Sequence, residues 1–113
     1  MSTPGGVFQP TGDLSAAAEF LTEVAGLKLK FRDGDRYAAL QYGDITLGLA
    51  AGEERITAGP ALMFKVADVA AVVAEWTAKG AKVLRPAEQG PHEVRAVLAL
   101  PGGVTAIVSA KNA

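Results

Sequence analysis

The sequence predicts an α+β fold made of two tandem βαβββ modules, and three observations carry that prediction. A short strand, an Asp and an amphipathic stretch that stops at a Gly occur twice, once around Asp13 to Gly26 and again around Asp68 to Gly80. Three extended segments joined by tight turns follow each occurrence. The chain has 113 residues, 50% of them hydrophobic, which is enough for one domain with a modest core. A repeat of this length is one supersecondary unit used twice. The chain therefore reads as a single domain over 1–113, with a first module at about residues 6–55 and a second at about 60–110.

The first module opens with a strand at Val7-Phe8-Gln9-Pro10, turns through Thr11-Gly12-Asp13, and enters a helix from Leu14 to Val24. Asp13 stands at the N-cap, where a short carboxylate accepts from the free N–H groups of the first turn. Gly26 stands where a left-handed C-cap belongs. Strands are expected at Leu27–Phe31, Tyr37–Tyr42 and Ile45–Ala50, with Asp33-Gly34-Asp35 and Gly43-Asp44 supplying the positive φ that hairpins need. The second module repeats the order: a strand at Ala61–Val66, an N-cap at Asp68, a helix from Val69 to Lys79, a stop at Gly80. Strands follow at Lys82–Arg85, Arg95–Leu100 and Val104–Ser109, the last two joined by Pro101-Gly102-Gly103.

Periodicity gives both helices a structural task. Leu14, Ala17, Ala18 and Leu21, and likewise Val69, Val72, Val73 and Trp76, follow the i, i+3, i+4, i+7 spacing of a buried stripe. Both helices should cover one face of the sheet, and the stripe assigns Trp76 to the core rather than to a stacking platform. Function belongs on the other face. Side chains alternate along a strand, so Tyr37, Ala39 and Gln41 share a face, as do Arg95, Val97 and Ala99, and Ala61, Met63 and Lys65. These sets mix apolar groups with a few polar ones, the composition of a small-molecule pocket.

Composition excludes several function classes. Eleven basic and twelve acidic residues give a formal charge of −1, so neither nucleic acid nor an anionic membrane is expected as a partner. The absence of cysteine removes disulfides, thiolate nucleophiles and cysteine-based zinc sites. The N-terminal Met1-Ser2-Thr3-Pro4-Gly5-Gly6 has neither a basic start nor an apolar run, and no stretch approaches the roughly 18 apolar residues that span a bilayer. A cytoplasmic protein is the expectation.

Paired βαβββ modules with Asp-Leu and Asp-Val helix starts resemble the vicinal oxygen chelate superfamily, which includes glyoxalase I, extradiol dioxygenases, fosfomycin-modifying enzymes and the bleomycin resistance proteins. The resemblance runs from about Val7 to Ser109. Locally it is nearest to the bleomycin resistance proteins, through Asp13-Leu14-Ser15-Ala16-Ala17-Ala18-Glu19-Phe20, Gly26-Leu27, Asp44-Ile45-Thr46-Leu47 and Ala74-Glu75-Trp76. The family's Asp-Pro-x-Gly-Asn turn survives as Leu100-Pro101-Gly102-Gly103-Val104. The resemblance implies a curved mixed sheet with helices on its outer face, and a homodimer with cavities at the module interface.

In metal-dependent members each module gives one ligand from its first strand and one from its last. The resemblance places these at Ala61 and Ile107 in the second module, and at Gly6 or a neighbour and Leu47 or Gly48 in the first. None carries an oxygen or nitrogen side chain for a divalent cation. Gln9 and His92 are the nearest potential donors, and one histidine does not make a site. No metal and no cofactor are expected, and no catalytic residue is assigned.

The expected function is therefore non-catalytic binding and sequestration of a small hydrophobic or aromatic ligand, such as an antibiotic or another planar natural product. Phe8, Leu47, Met63 and Ile107 would form an apolar floor, unless they are simply dimer or barrel core. Tyr37 and Gln41 would orient the ligand through hydrogen bonds. Lys65 would snorkel to the rim or meet an anionic group. Arg95 would pair with Glu93 at the entrance, and a loop over 86–94 that includes His92 would cover the mouth. An open concave apolar face costs roughly 25 cal/mol per Å², which favours a homodimer. The alternatives are a metal-independent enzyme using Lys65, His92 or Glu93 as acid or base, and an interaction module with no ligand.

Overall fold

The computed structural model describes residues 3–111, and in them the chain is a mixed α+β protein. Its elements are β1 (Thr3–Pro10), α1 (Leu14–Glu19), β2 (Lys28–Asp33), β3 (Tyr37–Tyr42), β4 (Ile45–Ala50), β5 (Ala61–Lys65), α2 (Val69–Ala78), β6 (Lys82–Gln89), β7 (Glu93–Ala99) and β8 (Thr105–Lys111). Contacts divide them into two compact units. The first is Gly6–Pro60; the second begins at Ala61 and includes residues 3–5.

The two units repeat one topology. In the first unit the strand order is β2-β3-β4-β1, with β1 parallel to β4 and the other pairs antiparallel. In the second it is β6-β7-β8-β5, with β5 parallel to β8. The parallel pair arises because the helix carries the chain back to its starting end before the three-strand meander begins.

Both helix starts form as their sequence dictates. The Asp13 carboxylate accepts from Ala16 N at 3.0 Å, and the Asp68 carboxylate from Ala71 N at 3.1 Å. Gly26 and Gly80 lie at φ of 86° and 111°, beyond reach of an L side chain at low cost. Inside the helices the repeats differ. Thirteen positions separate Asp13 from Gly26 but only twelve separate Asp68 from Gly80. The extra residue is absorbed as a π-helical segment, Phe20–Val24, closed by Ala25 N donating to Phe20 O at 3.0 Å. Thr22 lies in it and donates to Ala18 O at 2.8 Å, as Thr77 donates to Val73 O at 2.8 Å in α2.

Each unit has its own helix-side core. In the first, Leu14 and Ala18 of α1 pack on Ala38, Leu40 and Leu49, with Ala17, Leu21, Leu27 and Leu47 around them. In the second, Val69 packs with Val66, Ala96, Leu98 and Val108, flanked by Val72, Val73 and Trp76. Trp76 meets Phe64 edge-to-face at 5.3 Å between ring centroids, which fixes it as core, as its stripe predicts.

Several strand limits differ from the sequence reading. β1 begins at Thr3 rather than Val7, and β6 runs to Gln89 rather than stopping at Arg85. The 86–94 loop is therefore mostly strand, and only a short turn at Gly90, Pro91 and His92 joins β6 to β7. Pro86 sits where the β6–β7 register shifts between Arg85 and Glu88. A bulge leaves its missing N–H out of the ladder, so the proline is tolerated.

Candidate ligand-binding site

Register decides which side chains share the face away from the helices. In the first unit Phe8 pairs with Gly48, Gly48 with Ala39 and Ala39 with Phe31, forming one row on that face. Leu47 pairs with Leu40, whose side chain lies in the helix-side core, so Leu47 points the same way. This corrects the sequence expectation: Phe8 and Leu47 cannot share an apolar floor, because a one-residue offset reverses a side chain's face. Of the two first-module candidates for the last-strand metal position, Gly48 is the one that faces away from the helices.

Two of the expected ligand positions have no room for a donor side chain. A Cβ on Gly48 would collide with the Tyr37 hydroxyl, with the ring Cζ at 3.1 Å and Cε1 at 3.2 Å, so the phenol lies across the position a longer side chain would need. A Cβ on Gly6, at φ 125°, would lie 2.9 Å from the Thr46 carbonyl carbon and closer still to its oxygen. Backbone, unlike a side-chain tip, has no rotamer by which to yield. Gln41, expected to orient a ligand, donates its Nε2 to the carbonyl of Gly43 in the adjoining turn. It braces the hairpin.

The second unit's face is better organised. Met63 pairs with Ile107, Ile107 with Val97 and Val97 with Arg85, giving an apolar row that ends in a cation. Lys65 pairs with Ser109, Ser109 with Arg95 and Arg95 with Glu88, giving a polar row two residues further along. Ala61, two residues before Met63, is buried on the same face, and so is Ile107. The structure thus brings together Met63, Lys65, Arg95 and Ile107 of the sequence-predicted set. His92 lies exposed in the β6–β7 turn, outside these rows.

Arg95 departs most from expectation. It is only 8% exposed, where an entrance ion pair on the surface was expected. Its Nη1 lies 3.4 Å from Glu93 Oε1 and its Nε 3.9 Å from Glu88 Oε1, while Arg85 Nε approaches Glu88 Oε1 to 2.5 Å. A Cβ at Gly90 would come within 3.0 Å of the Arg95 Cζ and Nη1, so the turn's backbone packs directly on the guanidinium. The hydrogen bond from Arg85, then the charges of Arg85 and Arg95, hold the Glu88 carboxyl below its ordinary titration range despite partial desolvation. Sequence reasoning placed Val97 on this face without giving it a role, and missed Ser109, Arg85 and Glu88. Alternation from Ile107 points to Ser109, but the bulge around Pro86 hides which β6 residue opposes Arg95.

The donor chemistry does not fit a divalent cation. Gly6, Gly48, Ala61 and Ile107 supply no ligand atom, and among the described residues no three His, Cys, Asp or Glu side chains cluster as a metal site would.

A family model matches residues 5–106 of the chain. The chain belongs to the Glyoxalase/Bleomycin resistance protein/Dioxygenase superfamily. An uncharacterized protein of Mycolicibacterium smegmatis (strain ATCC 700084 / mc(2)155) is 37% identical over 89 residues, covering 78% of this chain and 76% of its own. Among solved structures, an NAD-dependent benzaldehyde dehydrogenase from Legionella pneumophila superposes with a TM-score of 0.79 at 19% identity, over 94% of this chain and 97% of that one. Streptomyces coelicolor methylmalonyl-CoA epimerase (S115T), in complex with 2-nitronate-propionyl-CoA, superposes with a TM-score of 0.75 at 22% identity, over 98% and 95%. At these identities the superpositions establish the glyoxalase-type fold and leave chemistry to the residues themselves.

Proposed function

We propose that this superfamily member binds a small, largely hydrophobic organic molecule and holds it without chemical change. The observation that carries the reading is the donor-free set at Gly6, Gly48, Ala61 and Ile107, with steric blocks at both glycines. Where metal-dependent relatives would coordinate, this chain offers glycine and aliphatic surface. Apolar contact with a few polar groups is what such a surface can supply.

The enzyme alternative has less support. Structural neighbours include methylmalonyl-CoA epimerases, but their likeness lies in the fold. Of the groups such an enzyme would use, Glu93 faces the Arg95 guanidinium at 3.4 Å and His92 lies exposed in the β6–β7 turn, outside the rows. Homodimerisation is part of the proposal, since Phe31, Leu29 and Leu84 lie exposed on the outermost strands β2 and β6 of the two units.

The test has two measurements on protein purified without chelator or affinity tag. Elemental analysis should find no stoichiometric zinc, iron or manganese. A thermal-shift screen of planar aromatic natural products should find compounds that raise the melting temperature, as ligands of the native state must. Mass spectrometry should recover those compounds unchanged after prolonged incubation. Stoichiometric metal, or a ligand returned as a different compound, overturns the reading.

A further inference from the structure

We propose that the polar row of the second unit is a carboxylate seat, with Lys65 and Arg95 on either side of Ser109, so that the ligand is an amphipathic monocarboxylic acid. The inference rests on the binding function proposed above and names the ligand's class.

Pairing builds the seat directly. Lys65 lies opposite Ser109, and Ser109 opposite Arg95, on three neighbouring strands. Adjacent strands are about 4.8 Å apart, so the two cations start roughly 10 Å apart with a short hydroxyl between them. Ser109 places a short hydroxyl between the two cations, able to donate to a small planar anion, while the Arg95 guanidinium is held on the β6 side by Gly90, Glu88 and Glu93. The apolar row Met63, Ile107 and Val97 begins two residues back along the same strands, about 7 Å away. That spacing suits an acid whose hydrophobic body continues from its head group. Met63 and Ser109 are half-buried and Lys65 is exposed, so a ligand enters over them and reaches Arg95 at the inner end.

Charge favours an anion. Lys65, Arg85, Arg95 and Lys111, the last opposite Glu93, stand against Glu88 and Glu93 on this face, so cations are in excess. No carboxylate lies within 4.0 Å of the Lys65 ammonium among the described residues, whereas Glu88 and Glu93 both approach Arg95. A phosphate dianion would meet repulsion from those two glutamates that a single carboxylate largely escapes. The Gly90 backbone and the glutamates also hold the guanidinium in place, so little side-chain freedom is lost on binding.

Matched probes test the assignment: benzoate, 2-naphthoate and octanoate, each beside its primary amide, with 2-naphthyl phosphate as a further arm, titrated calorimetrically at low and high salt. The acids should bind at least about tenfold tighter than their amides, because a hydrogen bond to a charged group contributes more than a neutral one. The preference should shrink as salt rises. Lys65→Gln, at an exposed position that leaves the core intact, should reduce the preference by roughly tenfold. Ser109→Asp should abolish acid binding while the amides still bind. Equal affinity for acid and amide, or tighter binding of the phosphate, overturns the seat and leaves the small-molecule reading standing. Failure of every acid and every amide to bind overturns both.

Discussion

Replacing Gly6 with alanine should destabilise the protein far more than an alanine in a β-strand ordinarily does. Gly6 adopts φ 125°, a region that L residues rarely enter. Such a backbone conformation costs about 1–3 kcal/mol for a residue with a Cβ. Contact adds to this, because the new methyl group would fall 2.9 Å from the Thr46 carbonyl carbon and 3.0 Å from its nitrogen. Thr46 lies in β4 of the same unit, and its backbone moves only if the strand moves. Overpacking of this kind costs roughly 1–3 kcal/mol. Together they predict a loss of about 2–6 kcal/mol, against a typical total of about 5–15 kcal/mol. With a urea slope of about 1–3 kcal/mol/M, the unfolding midpoint should fall by about 1 M or more. Urea denaturation followed by Trp76 fluorescence and by circular dichroism measures this, with Gly12→Ala as the control, since nothing lies within 4 Å of a Cβ there. A Gly6→Ala midpoint matching that of Gly12→Ala would refute the argument, and with it the steric block at this position.

Two further predictions concern capping and charge. Asp68→Ala leaves the Ala71 N–H without its capping carboxylate and should cost about 1 kcal/mol, read as a lower thermal midpoint; an unchanged midpoint would show that solvent replaces the cap fully. Glu88 titrates below its ordinary value of 4.5 in the folded state, so its contribution is fully present above that pH and is lost as pH falls through the lower folded value. Melting temperature should therefore drop below about pH 4.5 more steeply in the wild type than in Glu88→Gln, and parallel profiles would contradict the assignment.

Much of this molecule was legible in its sequence because the signals were local. Asp13 and Asp68 cap helices through their own backbone neighbours, and Gly26, Gly34 and Gly43 take the positive φ that their turns need. The stripe from Val69 to Trp76 states its own burial through spacing alone. The two-module pattern followed, and with it the family. The π-helical segment was also latent in the chain, as a one-residue difference in spacing between otherwise equivalent helices.

The faces and neighbours of the site were another matter. Alternation shows which residues of one strand share a face, but pairing between strands depends on where hydrogen-bond ladders register. Leu47 was placed on the wrong face because its face is fixed by Leu40, a partner in another strand. Arg95 read as a surface cation beside Glu93, since neither the Gly90 contact nor the approach of Glu88 follows from residue order around a proline bulge. Sequence by itself determined the helices, the turns, the repeat and the lack of donor side chains at Gly6, Gly48, Ala61 and Ile107. Only the tertiary structure decided that Thr46 and Tyr37 block two of those positions, and that Lys65, Ser109 and Arg95 stand in one row. Local conformation is set by adjacent residues, whereas a site is assembled from strands whose contact is paid for in long-range register.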